Sequence, residues 1–496
     1  MSEARLTYRF GPVERRGLLG PVRCGQALAV GAGALTAVVA LDTAPSAAGA
    51  WAAIVALCAA LVTSTVPVAG RTLEEWSPVA GQYVLRRARG RLGFRSPAPL
   101  RGMRRRPGAG ATVVDPEPAP PPALRGVSIV AIEYGKRRLG ALSERRGSRL
   151  TLALACRVPS FALLDPETQE RRLARWGLVL AGAAGTAIRR IQWVERTAPA
   201  QGDELARWLH DARDPAIPLR GAAMIDSYLE LIGRSAQVTH DHEILIAVQV
   251  DAGRGRERRG PALEGTLVEE ATRVARALEA AEVVVLGALS PGQLARVLRT
   301  AFDPFCRAEL AALETVDQER DGLSATNAWP LAAAEAWDHY RSDGAHHATY
   351  WIAGWPRIEV SAMFMDALLG SSSVARTVAV SFEPIPPQRS TREVEAAITR
   401  DRADSELRHR FGQSETARHR QAHEAAIRRE AELAAGHCEV RLAGFVTVTG
   451  RDPDELRRSS ATVLEQAARA RLELHRMYGQ QADAFTFTLP LARGLR

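Results

Sequence analysis

The sequence predicts an α+β cytosolic region preceded by an N-terminal two-helix transmembrane hairpin, and three observations predict it. Two stretches near the N-terminus, Gly25 to Leu41 and Ala47 to Gly70, carry no charge and consist almost wholly of small or aliphatic residues. Beyond residue 125 the pattern switches repeatedly between strand and helix periods without the regular β-helix-β alternation of a doubly wound sheet. The chain is 496 residues long and 46% hydrophobic, enough to bury several cores.

Each apolar stretch is close to the roughly 20 residues that a helix needs to cross a bilayer. The break between them reads Asp42-Thr-Ala-Pro45-Ser46. Arg5, Arg9, Arg15, Arg16 and Arg23 precede the first stretch; Arg71, Arg86, Arg87, Arg89, Arg91, Arg95, Arg101 and Arg104 to Arg106 follow the second. Positive charge retained inside places both termini in the cytoplasm, with spans at about 25–41 and 47–69 in a module over 1–95. Two other readings compete: a secretory signal cleaved within PSAAGA, and a buried Ala-rich hairpin of a soluble protein. The absence of a polar stripe on either stretch argues against the second.

Residues 96–124 are rich in Pro, Ala and Gly and read as an extended linker. A first α+β cytosolic domain is expected over 125–340. It has strands at Ser128 to Glu133, Arg149 to Val158, Ile188 to Thr197, Glu243 to Val250 and Glu282 to Leu286. Its helices are Pro166 to Ala184, Gly202 to Ala212, Leu219 to Ser235, Glu264 to Ala281, and one opened by the Ser290-Pro291 cap that runs to Phe302. A second α+β cytosolic domain follows over 341–496. Strands are expected at Thr349 to Ile352, Arg357 to Val360, Ala375 to Phe382, Cys438 to Thr449 and Ala484 to Leu489. Helices are expected at Ser361 to Leu369, at Thr391 to Ala435 (long, charged, closed by Gly436), and at Asp452 to Tyr478 with acids at its dipole-favoured start.

Charge restricts the function. The chain carries a formal +9, but the excess lies in the N-terminal module, and residues 108–496 carry about −1. A broad nucleic-acid-binding surface needs clustered, uncompensated cations, so direct nucleic-acid binding is not expected of the cytosolic part. Near anionic lipid each exposed Arg of the stretch Arg86 to Arg106 can contribute about 1 kcal/mol, which makes that stretch a membrane-surface contact. Cys24, Cys58, Cys156, Cys306 and Cys438 are scattered without a CxxC pair, so neither a zinc knuckle nor a disulfide framework is indicated.

Catalytic signals are sparse. The only lysine, Lys136 in IEYGKRRLG, lacks the glycine and hydroxyl residue that a phosphate-cradling loop requires. His240 and His242 share a strand face, and His419 and His423 stand at i, i+4 on the long helix, spacings that can clasp a metal. HRQAH has no general-base Glu, and solvated positions are the default for both pairs. His346-His347 reads as a loop with a pH-sensitive contact. Ser371 to Ser373 reads as a turn, Glu269-Glu270 and Glu74-Glu75 as charged helix faces, and Tyr350, Trp351 and Trp355 as core. No catalytic, cofactor-binding or metal residue is assigned, and no cofactor is expected.

At Gly70 to Trp76, GRTLEEW follows the second span and leads into SPVAGQYVLRRARGRLGF. This resembles the small two-span inner-membrane subunit of type IV secretion and conjugation systems, the third-named VirB subunit, called the PrgI family in Gram-positive elements. The last third carries PIPPQRSTREVEAAI, then EAELAAGHCEVRLAGFVTVTGRDPDELRRSSATVLEQAARA, then MYGQQADAFTFTLPLARGL. It is similar to the N-terminal, non-motor domain of the large VirB ATPase. The two resemblances cover residues 5–95 and 125–496. Where the ATPase relatives continue into a motor, this chain stops six residues after Pro490. The resemblance therefore implies an accessory fusion of actinobacterial type: a non-catalytic integral membrane component of the plasma membrane that anchors and recruits a separate P-loop ATPase. Other secretion-channel membrane subunits and a homo-oligomer are the further partners it implies. A membrane-tethered enzyme with a cryptic site and a membrane-tethered DNA-binding protein are the alternatives.

Overall fold

The computed structural model describes residues 24–68, 70–96, 119–158, 161–199, 240–253, 260–307, 325–356, 358–370, 374–393 and 438–495, with a few isolated positions between these stretches. The chain is a mixture of helix and sheet that begins with two apolar helices, α1 (Cys24–Thr43) and α2 (Ala47–Thr65). Both are long and apolar enough to cross a membrane. They pack on one another through small residues: a Cβ on Gly33 would lie 2.4 Å from that of Ala60, and one on Gly49 would lie 2.9 Å from the Ala40 carbonyl oxygen. Thr36, Thr43 and Thr65 return their hydroxyls to carbonyls four residues back, which leaves no polar side-chain atom of theirs facing outward unbonded.

The second apolar helix is shorter than its apolar stretch. After Thr65 the chain forms β1 (Pro67–Val68) and β2 (Arg71–Thr72), a two-stranded hairpin turned at Gly70 with φ +80°. The helix α3 (Leu73–Ala88) and the strand β3 (Gly93–Arg95) follow. A 3-10 turn, Pro122–Leu124, ends the linker region, and its Leu124 is fully buried.

The rest of the described chain is built around one antiparallel sheet of 13 strands in two topologically equivalent halves. In the first half the order along the chain is β6 (Arg149–Arg157), α4 (Pro166–Gly182), β7 (Ile188–Pro199), β8 (His240–Asp251), α5 (Pro261–Ala280) and β9 (Val284–Ala288). In the sheet these strands run β9-β6-β8-β7. In the second half the chain order is β12 (Ala345–Gly354), α7 (Asp366–Leu369), β13 (Arg376–Pro384), β14 (Val440–Gly450), α8 (Pro453–Arg469) and β15 (Glu473–Arg476). Its sheet order is β15-β12-β14-β13. Each half is thus a split β-α-β-β-α-β unit of ferredoxin-like topology. Each is extended by a hairpin strand before its first strand, β5 (Arg137–Glu144) or β11 (Tyr340–Ser342), which shares an edge with the half's last strand. The strands β4 (Ser128–Tyr134) and β10 (Ala332–Glu335) continue the two flanks. The halves join where β7 pairs antiparallel with β13, Val194 facing Ala379, so equivalent strands meet about an approximate two-fold.

Side chains alternate across the sheet with period 2. On one face Leu180, Leu267, Val274 and Leu278 of α4 and α5 pack on Ile191, Ile246 and Val248, while Val463 and Ala467 of α8 pack on Val446 and Val448. The other face, through Val194, Leu245 and Ala379, is covered by α6 (Pro291–Phe302) and by the C-terminal segment with α9 (Gln481–Phe485). Ser290, the cap expected from sequence, accepts from Gln293 N; two further caps are Asp165, which accepts from Thr168 N, and Asp452, which accepts from Asp454 N and Glu455 N.

Four expectations are corrected. The helix from Asp452 ends at Arg469, because Arg471 turns at φ +58° and releases β15. Ala484 to Leu489 is a helical turn, not a strand: Thr486 and Thr488 bond the carbonyls of Asp483 and Phe485 three residues back. Of the strand expected at Arg357 to Val360, the described residues 358–360 carry only an isolated bridge at Val360. Of Ser361 to Leu369 only Asp366–Leu369 is α-helical. The helices expected at 202–212 and 219–235 fall outside the described residues, as does nearly all of the long charged helix, whose described start is helical from 387 to 393.

Candidate functional site: the clasp between the apolar hairpin and the sheet

The apolar helices are tied to the sheet by α3 and β3. The hairpin β1–β2 pairs Pro67 with Thr72, so before α3 begins the chain returns beside Pro67, two residues beyond the end of α2. The Thr72 N–H donates to the Glu75 carboxylate at 3.0 Å, one arm of a capping box. Pro78 removes an amide from the helix interior, and the Ser77 hydroxyl takes over the Glu74 carbonyl at 2.9 Å. At its start α3 touches both α1 and α2.

The inner face of α3 carries Trp76, Val79, Tyr83 and Arg86. Tyr83 stands edge-on to Trp337 with ring centroids 5.0 Å apart, and Trp76 lies 5.8 Å from Trp337 and 5.9 Å from Tyr478. Arg71 covers Trp76 from the other side, 5.5 Å from its centroid, a cation–π contact. Arg86 closes the seat. It pairs with Glu335 of β10 at 2.9 Å and donates to the Gly479 carbonyl. Burial pushes the Glu335 carboxyl above its ordinary range, and Arg86 acts against that shift. Gly70 lies against His475: an added Cβ would fall 2.1 Å from its Cε1. Finally β3 pairs with β10, and Ser96 N donates to Leu331 O at 2.7 Å, so the chain after α3 becomes the edge of the sheet. Arg86, assigned from sequence to the lipid-facing basic stretch, is instead committed to the sheet. Arg87, Arg89, Arg91 and Arg95 are exposed.

Other residues singled out in the sequence take structural places. His347 is in β12, not a loop, and wholly buried; Ser342 Oγ lies 2.8 Å from its Nε2 and Thr449 Oγ1 3.0 Å from its Nδ1. Burial holds its pKa down to about 3, which removes it as a switch near neutral pH. Ser342 also donates to the Phe302 carbonyl, and both residues are 0% exposed, so this serine–histidine pair packs and does not face a substrate. His242, at the exposed start of β8, lies 3.3 Å from Thr197 Oγ1 and 3.5 Å from Glu195. His419 and His423 fall outside the described residues. Among the described residues no three His, Cys, Asp or Glu are gathered as metal ligands. Lys136 occupies the turn between β4 and β5. Glu270 pairs with Arg273 at 2.9 Å, and Tyr350 lies in the core.

A second polar assembly, not foreseen in the sequence, holds the C-terminal segment across the central strands. Gln192 bonds Phe487 O and Ala492 N, each at 2.8 Å, Gln249 bonds Leu491 O at 2.9 Å, and Ser381 bonds Arg493 O at 2.8 Å. Arg190, paired with Glu383 at 3.0 Å, donates to the carbonyls of Ala492 and Leu495. Glutamines within a strand give no local sign of such partners. Beside it Arg196 and Arg307 converge on Glu243; burial alone would raise that carboxyl, and the two guanidinium groups outweigh it and hold it low.

No protein-family model matches the chain, and no curated protein matches it.

Proposed function

We propose that this chain is a non-catalytic integral membrane component of a type IV secretion or conjugation-like apparatus. In this reading α1 and α2 form a transmembrane hairpin in the plasma membrane with both termini in the cytoplasm, and the two-unit sheet recruits a separate P-loop ATPase. The observation that carries it is the clasp: two apolar, membrane-length helices joined through Trp76, Tyr83 and Arg86 to the flank of a large sheet. Such a seat transmits position between a bilayer and a cytoplasmic platform, which an anchor for a motor needs and a flexible tether does not supply. Further support comes from the resemblance of GRTLEEW and of the last third to two subunits of those systems. Exposed Arg87, Arg89, Arg91 and Arg95 favour contact with anionic lipid, and the other channel subunits and further copies of this chain are its expected neighbours.

Reporter fusions test the membrane part. A reporter at Ser46 should be active outside the cytoplasm and one at Arg106 inside; a cytoplasmic Ser46 contradicts the hairpin. Purification of the tagged chain from its native membrane in mild detergent tests recruitment, with a stoichiometric P-loop ATPase expected and a chain that emerges alone counting against it.

A further inference from the structure

The helix α3 has a second face. Its inner arc is spent on the sheet, while along its outward arc Leu73, Ser77, Gly81, Gln82, Val84 and Leu85 are exposed and carry no charge. Val84 is 61% exposed and Leu85 48%. Of the acids of the helix, Glu75 caps Thr72, and Glu74, in the first turn of the outward arc, is spent against Gly25 at the start of α1, so the rest of that arc is uncharged. The exposed arginines Arg87 and Arg89 cluster at the C-terminal end, with Arg91 just beyond. An uncharged, partly apolar face on a helix whose other face is fixed to protein leaves exposed hydrocarbon that a cytosolic surface would not favour. Covalent continuity indicates what covers it. The β1–β2 hairpin returns the chain to the end of α2, and α3 starts in contact with both apolar helices, at the level where they end.

We propose that the outward face of α3 lies in the headgroup–acyl boundary of the leaflet from which α2 emerges, with Val84 and Leu85 in contact with acyl chains and Arg87, Arg89 and Arg91 on anionic headgroups. The inference rests on the membrane reading of α1 and α2. It makes α3 an interfacial helix held between lipid and sheet, so that the sheet's β10 flank lies against the membrane surface and does not hang from a linker.

The test is photo-cross-linking of the full chain in vesicles of three parts phosphatidylcholine to one part phosphatidylglycerol. p-Benzoylphenylalanine is placed singly at Val84, Leu85, Val55 on the outer face of α2, and Leu178, an exposed leucine on α4. Mass spectrometry then reads the adduct. Phospholipid adducts at Val84, Leu85 and Val55, at least tenfold above Leu178, are the expected result. Adducts at Val55 without adducts at Val84 and Leu85, or with protein adducts there instead, overturn the proposal and leave the transmembrane reading standing. Absence of lipid adducts at Val55 as well overturns both.

Discussion

Arg86 of α3 and Glu335 of β10 close an ion pair of 2.9 Å in which the carboxylate side chain is only 4% exposed. Removing one partner of a buried pair leaves the other uncompensated, so Arg86→Met should destabilise the clasp by about 3 kcal/mol. The double variant Arg86→Met/Glu335→Leu should regain most of that loss, since no unpaired charge remains. Thermal unfolding of the detergent-solubilised chain measures both, and a double variant no more stable than the single would show that the pair contributes nothing by its charge.

Gly70 lies directly against His475 where the apolar module meets the sheet. Gly70→Ala meets both a left-handed φ of +80° and the imidazole, and should cost roughly 2 kcal/mol. His475→Ala in the same chain removes the clash but not the backbone strain, so recovery should be partial. Limited proteolysis after Arg89 or Arg91 reports release of α3, and equal cleavage of wild type and Gly70→Ala would contradict the contact.

His347 gives the fold an acid sensitivity of known sign. Its folded pKa is lowered from 6.5 to about 3 by burial, so below pH 6.5 the unfolded chain takes up a proton that the folded chain refuses. Stability contributed by the neutral ring is complete above pH 6.5 and is lost as pH falls toward 3, at up to about 1.4 kcal/mol per pH unit. His347→Gln should be less stable than wild type at pH 7.5, and the gap should narrow by about 1 kcal/mol at pH 5.5. Denaturant unfolding at the two pH values measures it; a constant gap would show that the ring is not held neutral.

Arg190 fixes the C-terminal segment through two carbonyls while paired with Glu383. Arg190→Ala should cost about 3 kcal/mol and expose the last residues to carboxypeptidase. Arg190→Lys should restore little, because an ammonium cannot reach Glu383 and both carbonyls with one rigid fork. Equal digestion rates of wild type and Arg190→Ala would refute this role.

What the sequence revealed followed local chemistry. Helix starts at Asp165-Pro166, Ser290-Pro291 and Asp452-Pro453 were legible because the capping residue and the proline sit beside the helix they open. The apolar helices were legible because long uncharged runs of small and aliphatic residues are visible in composition alone. The strand β5 was hidden because RRLGALSE has no β-branched residue and no alternation, its last six residues being buried on both faces. The β10–β11 hairpin, AAAE and YRS, is too short and too Ala-rich to show a period. AFTFTL alternates like a strand, yet its threonines bond backward and coil it. The clasp was illegible for a different reason: Trp76 and Tyr83 find Trp337 and Tyr478 only through the whole sheet topology. The repeat of two β-α-β-β-α-β units also escaped, because it lies in strand order and not in residue identity.

In the proposed function the sheet recruits an ATPase to a membrane seat. The most direct measurement is purification of the tagged chain from its native membrane in mild detergent, with mass spectrometry of stoichiometric partners, alongside a chain lacking residues 125–496. The account predicts a P-loop ATPase with the full chain and none with the shortened one. A full chain that emerges without an ATPase, or an ATPase retained by residues 1–124 alone, would contradict it.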